Sequence, residues 1–225
     1  MQLVDRIEKR RFVGREFLLW LWFESEVFDA TLSTRDAGEF GLWIEKQIVL
    51  SAGKETTRIK GATPALGREA KEALLRGKLP ESAGIHLSLR EGECGFTLKA
   101  EPMALSGLTL PTVLGGEASE ERDTTALLAP AKRPRRRKTS AAQDAEAESD
   151  ESRESFYERM RLTRLVEEVL EGLYREFLVL RLGEAWSATV LPALRAWASG
   201  EEVDAEEYRA ATKGRASRRR TAAVA

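Results

Sequence analysis

GREFLLWLWFESE, residues Gly14–Glu26, holds seven consecutive apolar residues, Phe17 to Phe23, in a chain of which 32% of residues are charged. A membrane span, a buried strand and a core helix all begin from such a run. A bilayer span needs about twenty apolar residues, and here Arg15, Glu16, Glu24 and Glu26 close the run at both ends. A strand would fit its length, but the polar flank continues at helical spacing through Val4, Ile7, Arg11, Phe12, Arg15, Leu18, Leu19 and Trp22. The expectation is a helix from about Leu3 to Ser25 that is apolar nearly all round in its second half. Such a helix belongs at the centre of a core.

Downstream of this helix, FDATLST (Phe28 to Thr34), FGLWIEKQIVLS and ETTRIKG read as three strands separated by the turns RDAGE and AGK, an antiparallel meander. Thr63-Pro64 then opens a short helix, threonine as N-cap and proline at the first helical position. Its modest apolar face is Leu66, Ala70, Ala73 and Leu74, with Gly77 as its stop and Pro80 beyond. A hairpin follows, IHLSLR (Ile85 to Arg90) turning at Glu91-Gly92-Glu93 into GFTLKAE, and Ala104 to Leu110 adds a short strand. Residues 1–111 therefore read as one α+β domain.

From 112 to 152 the aromatics vanish, and the composition is that of a disordered mixed-charge linker, too long for an ordinary loop. It contains KRPRRRK (Lys132 to Lys138), six cations in seven residues, and the acidic run QDAEAESDESRES (Gln143 to Ser155). Residues 153–200 read as a helical pair. Met160, Thr163, Val166, Val169, Leu170, Leu173, Phe177 and Leu180 form a wide stripe that closes at Gly183. Trp186, Val190, Leu194 and Trp197 form a second face, kinked or restarted by Pro192. Neither helix is stable with so much apolar surface in water. They are expected to pack back on the aromatic helix, or to pair between two chains. Residues 201–225 read as a disordered tail, acidic and then basic.

Few chemistries suggest themselves. The single cysteine, Cys94, excludes an internal disulfide and a cysteine-based zinc site, and it reads as an inert half-buried thiol. The single histidine, His86, lies opposite the Ile85–Leu87–Leu89 face of its strand and reads as a surface residue. No spacing selects a pair of catalytic carboxylates, and GLTLPTVLGGE lacks the glycine pattern of a phosphate loop. Trp20, Trp22, Phe23 and Trp43 sit inside apolar runs and read as core rather than base-stacking residues. No catalytic residue, metal ligand or cofactor is assigned. The N-terminus, MQLVDRIEKRRF, has no apolar segment of a signal peptide.

The net charge of −1 averages over segments of opposite sign. Lys132, Arg133, Arg135, Arg136, Arg137 and Lys138, with Arg215, Arg218, Arg219 and Arg220 near the C-terminus, are the candidate nucleic-acid contacts. Arginine-rich arms gain affinity for phosphate backbones by counterion release without reading sequence. The plainer reading of the same residues is solubilising charge, or a neutralising partner for the acidic run.

The run Gly14-Arg15-Glu16-Phe17-Leu18-Leu19-Trp20-Leu21-Trp22-Phe23, the stretch Arg68-Glu69-Ala70-Lys71-Glu72-Ala73-Leu74 with Gly77-Lys78 after it, and Phe156 to Leu182 together resemble deltaproteobacterial chains of the recombination-associated RdgC-like family. The resemblance is partial and lacks the family's N-terminal portion. It implies a nucleoid-associated protein that binds DNA without sequence preference, forms a ring-shaped dimer and restrains recombinase filaments. The expectation is thus a cytoplasmic, non-enzymatic α+β protein that contacts DNA through its arms and has no membrane association. The alternative is an interaction or scaffold module whose C-terminal helices pair with a protein partner or a second copy.

Overall fold

The computed structural model describes residues 13–111 and 141–212, with backbone alone for 141–152 and 154. The elements in order are α1 (Val13–Val27), β1 (Thr31–Thr34), β2 (Gly38–Ala52), β3 (Glu55–Gly61), α2 (Arg68–Leu75), β4 (Leu79–Leu89), β5 (Gly92–Ala100), β6 (Met103–Thr109), α3 (Ala141–Arg181) and α4 (Leu191–Ser199). A π-helical turn, Trp186–Val190, leads into α4, and a last helix covers 205–212. The fold is α+β, with an antiparallel six-stranded sheet in the order β1-β2-β4-β5-β6 and β3 paired to the second half of β2.

The aromatic run is helical, and it is enclosed. Phe17, Leu18, Trp20, Leu21, Trp22 and Phe23 are all buried. Strands β1, β2, β4 and β5 all touch α1 on one side. The C-terminal helices cover the other: Phe17 meets Tyr174 edge-on at 5.1 Å, Trp20 lies 5.7 Å from Phe177, and Trp22 meets Trp197 edge-on at 5.0 Å. Arg181 at the end of α3 grips both carboxylate oxygens of Glu16. Helix α3 also reaches both ends of the sheet. Gly172 fits against Thr34 of β1, while Leu170 and Tyr174 face Leu105 of β6. It therefore spans the gap that a sheet curved round α1 leaves open.

Several boundaries differ from the sequence expectation. Residues 3–12 of the expected first helix lie outside the described residues. Asp29 and Ala30 take left-handed backbone (φ 47° and 59°), so β1 starts at Thr31 rather than Phe28. Helix α2 begins at Arg68 after Gly67, and Thr63-Pro64 lies in the turns before it. Ala65 is tucked into the core there, which leaves Leu66 exposed. Gly77 does stop α2: at φ 83° it lets the Gly77 and Lys78 amides reach the Leu74 and Ala73 carbonyls. Strand β4 begins at Leu79 and passes through Pro80, at an irregularity in the β2–β4 ladder where a missing amide is tolerated.

The C-terminal part also departs from its expected limits. Helix α3 starts at Ala141, inside the stretch assigned to the linker, while 112–140 lie outside the described residues. Its stripe is used internally at Val166, Val169, Leu173 and Phe177, and Leu162 joins it, whereas Met160 is exposed. Gly183 closes the helix, and the chain bends by 90° between Ser155–Arg181 and Trp186–Ser199. Pro192 follows closely on the π-helical turn Trp186–Val190, so the wider turn lies where its missing amide and ring interrupt the α-helical ladder. The expectation of a disordered tail over 201–225 does not hold for its first part: Tyr208 and Thr212 are buried on the helix 205–212. Among the described residues no single helix is long and apolar enough to span a bilayer; only the bent pair meets that measure, and Val166, Val169, Leu173, Phe177, Trp186, Val190, Leu194 and Trp197 of it are buried in the core.

A bulge shapes the sheet's outer face. Ile44 pairs with Ile85 and Ile48 with Ala83, so Glu45, Lys46 and Gln47 oppose Gly84 alone, with Lys46 at φ 66°. A Cβ on Gly84 would fall 2.2 Å from the Glu45 carbonyl oxygen, a clash with backbone. Gly84→Ala should therefore destabilise the protein by about 1–3 kcal/mol, read as a lower urea midpoint at unchanged m-value.

Candidate functional site

All ten sequence-assigned contacts lie outside the described residues: Lys132, Arg133, Arg135, Arg136, Arg137 and Lys138 in 112–140, and Arg215, Arg218, Arg219 and Arg220 in 213–225. The structure does place the elements that carry them. Strand β6 and α3 flank the first run, and the helix 205–212 precedes the second.

That last helix is held by a buried polar contact. The Tyr208 hydroxyl donates to Glu24 Oε1 at 2.6 Å, and the Tyr208 ring meets Phe23 edge-on at 5.2 Å. Arg209 lies over the Phe28 ring at 4.6 Å. Glu24 is only 8% exposed. Burial pushes its carboxyl up from 4.5 to about 7, with the Glu176 carboxylate adding to the rise; the Tyr208 hydroxyl, the Trp20 indole and Arg209 pull the other way. Burial and the Glu24 carboxylate push the Tyr208 hydroxyl well above its ordinary range.

Two residues along α1, Glu26 gathers three donors. Trp22 Nε1 donates at 2.6 Å, Trp197 Nε1 at 2.8 Å and Lys71 Nζ at 2.9 Å. Lys71 also lies 4.8 Å from the centre of the Trp197 ring. A charged carboxylate is satisfied here by an ammonium and two indoles, which ties α1, α2 and α4 at one point. The two acids thus act differently: Glu26 joins three elements through its contacts, and Glu24 is a proton-binding group inside the core.

A second constellation sits on the outer face of the sheet. His86 faces outward as expected but is covered by Trp43, which stacks on it at 4.2 Å with 15° between the rings. Its Nδ1 lies 2.7 Å from Glu45 Oε2, and its Nε2 lies 3.6 Å from Glu93 Oε2. Glu45 lies two residues from Trp43 on β2 and so shares the face of the ring. Trp43 is accordingly not a core residue, in contrast to Trp20, Trp22 and Phe23. The arrangement clasps β2, β4 and β5 together. Cys94 lies on the opposite, inner face, 1% exposed, its thiol pushed up by burial with a smaller contribution from Glu91. Among the described residues no group of three or more His, Cys, Asp or Glu side chains could hold a metal ion.

The sequence held weak signals for these contacts. Glu24 and Glu26 flank the aromatic run, and a carboxylate on a helix buried all round must find a donor. The donors come from residues 71, 197 and 208, which no local pattern connects. Comparisons with family profiles, with curated proteins and with solved structures return no match.

The proton on Glu24 sets a pH dependence. Its carboxyl is raised in the folded chain, so the folded state binds the proton more tightly than the unfolded one. The resulting stability is fully present below about pH 4.5 and is lost as pH rises through about 7. The expected loss is on the order of 3 kcal/mol, measured as a falling urea midpoint between those values. Glu24→Gln should flatten that slope.

Proposed function

We propose that this is a non-enzymatic, nucleic-acid-associated scaffold in which a rigid body carries two arginine-rich arms. The observation that supports this reading best is the packed helix 205–212. Thr212 is buried only three residues before Arg215, so the C-terminal basic run is tethered to the core instead of trailing from a long free tail. The first basic run is likewise joined at both ends to elements of the same body, β6 and α3. Two weak phosphate contacts carried on one support reinforce each other, because binding of the first raises the local concentration of the second.

The charge of the helical layer is consistent with leaving this task to the arms. Arg161, Arg164 and Arg175 each pair with a glutamate one turn away on α3, and Arg181 pairs with Glu16. Such interleaved charge presents no continuous cationic track to a phosphate backbone.

DNA binding measured by fluorescence anisotropy at two salt concentrations tests the proposal. The intact chain should bind at low salt and weaken steeply as salt rises. Replacing Arg135, Arg136 and Arg137, or Arg218, Arg219 and Arg220, by alanine should cost at least tenfold each, and replacing all six should abolish binding. Tyr208→Ala, which unties the tail, should weaken binding without removing a single cation. Binding that survives the six-fold variant would move the site onto the body.

A second reading rests on a different observation. Phe156, Tyr157 and Met160 are 59%, 67% and 56% exposed near one another on α3. They favour pairing with a second copy through the part of the stripe that the chain's own core leaves uncovered. Sedimentation velocity of the intact chain beside Phe156→Ser/Met160→Ser checks it: a dimer that the variant dissociates supports pairing, and a monomer in both rejects it.

A further inference from the structure

Strand β6 ends the sheet, and no described strand pairs with its outer side. Between it and α3 lies an apolar cleft of about 230 Å³, floored by Phe17, Leu98, Leu105, Leu170 and Tyr174 and open to solvent past Met103, which is 48% exposed. An unpaired strand edge offers a row of free amide and carbonyl groups, which native proteins normally cover, charge or interrupt. Here the edge runs beside an apolar trough, and Gly107 at φ 64° is its one irregularity near the far end.

The α3 wall of the cleft adds a sign of charge. Glu167 and Glu171 line it. Glu171 holds Arg175 at 2.6 Å in a solvent-exposed pair, and Glu167 has no ion-pair partner among the described residues. The floor is therefore apolar and one rim is acidic. A strand added to β6 would point alternate side chains at α3 and the remainder away from it. Backbone pairing would supply affinity, and the floor and rim would supply selectivity.

We infer that the slit between β6 and α3 docks an extended segment of a partner protein, one with apolar residues at alternate positions and lysine or arginine placed to meet Glu167 and Glu171. The partner adds a seventh strand to the sheet. This site uses none of the arm residues and is independent of the nucleic-acid reading.

The test is to pan the full-length chain against a displayed library of short random peptides. Recovered peptides are resynthesised with a fluorophore and titrated by anisotropy against the wild type, Glu167→Lys/Glu171→Lys and Leu105→Asp. Both glutamates are exposed, so the double variant should keep the wild-type thermal midpoint even if Leu105→Asp does not. The expected result is enrichment of sequences alternating apolar with basic residues, a Kd at least tenfold higher for the double variant, and slowed amide hydrogen exchange in Met103–Thr109 of the wild type on binding. Failure to recover any peptide would overturn the inference. So would peptides that bind the double variant as tightly as the wild type, or a dimer of the free chain that the double variant dissociates, which would make a second copy the occupant.

Discussion

Everything in this structure depends on enclosing α1. A helix apolar on one face can rest on a sheet and turn its other face to water. From Phe17 to Phe23 this one has no water-tolerant face, and each large side chain left exposed would forfeit about 1.5–3 kcal/mol. A sheet covers a helix from one side only. The chain therefore needs a second layer, and it supplies one from residues that lie more than a hundred positions downstream, through Tyr174, Phe177, Trp197 and Tyr208. The two described parts of the chain are thus one core, whatever lies between them in sequence.

The polar contacts follow from the same enclosure. Once α1 is surrounded, the acids at the end of its aromatic run are carried under the covering helices. Glu26 meets that situation with Lys71 and two indoles. Glu24 meets it with a neutral tyrosine, whose hydrogen bond offsets only part of the effect of burial, and its proton is held to higher pH. The difference between these neighbours lies in which element happens to cover each. The helix 205–212 consequently has two functions at once: it seals the last side of the core, and it fixes the point from which the C-terminal basic run departs.

The outer face of the sheet illustrates how a local backbone event redirects side chains. Strict alternation through β2 would put Glu45 and Gln47 on one face with Trp43. The same alternation would turn Lys46 inward with Ile44 and Ile48; the bulge opposite Gly84 lets Lys46 adopt a left-handed backbone and reach solvent, while Glu45 stays on the face of His86. Gly84 is required there because a Cβ would clash with the Glu45 carbonyl. Glycine in a strand hinted at a close approach, but no feature of the sequence said which strand would bulge toward it.

Local pattern was enough to read the helix of the aromatic run, the antiparallel strands, the stop at Gly77, the break at Gly183 and the buried faces Val166–Phe177 and Trp186–Trp197. Each is a matter of periodicity or of a residue's own backbone preference, and both are written within a few turns of chain. The basic runs were legible for the same reason, as composition. What only the tertiary structure decided is everything that needs a partner far along the chain. That includes the bulge at Glu45–Gln47, the stacking of Trp43 on His86 and the exposure of Met160 where α3 runs past the body. It also includes the capture of Glu24 by Tyr208 and the slit left between β6 and α3. Burial, unlike propensity, is a property of pairs of elements. The amino-acid sequence states how much apolar surface must be hidden, and the packing alone states what hides it and what is left uncovered.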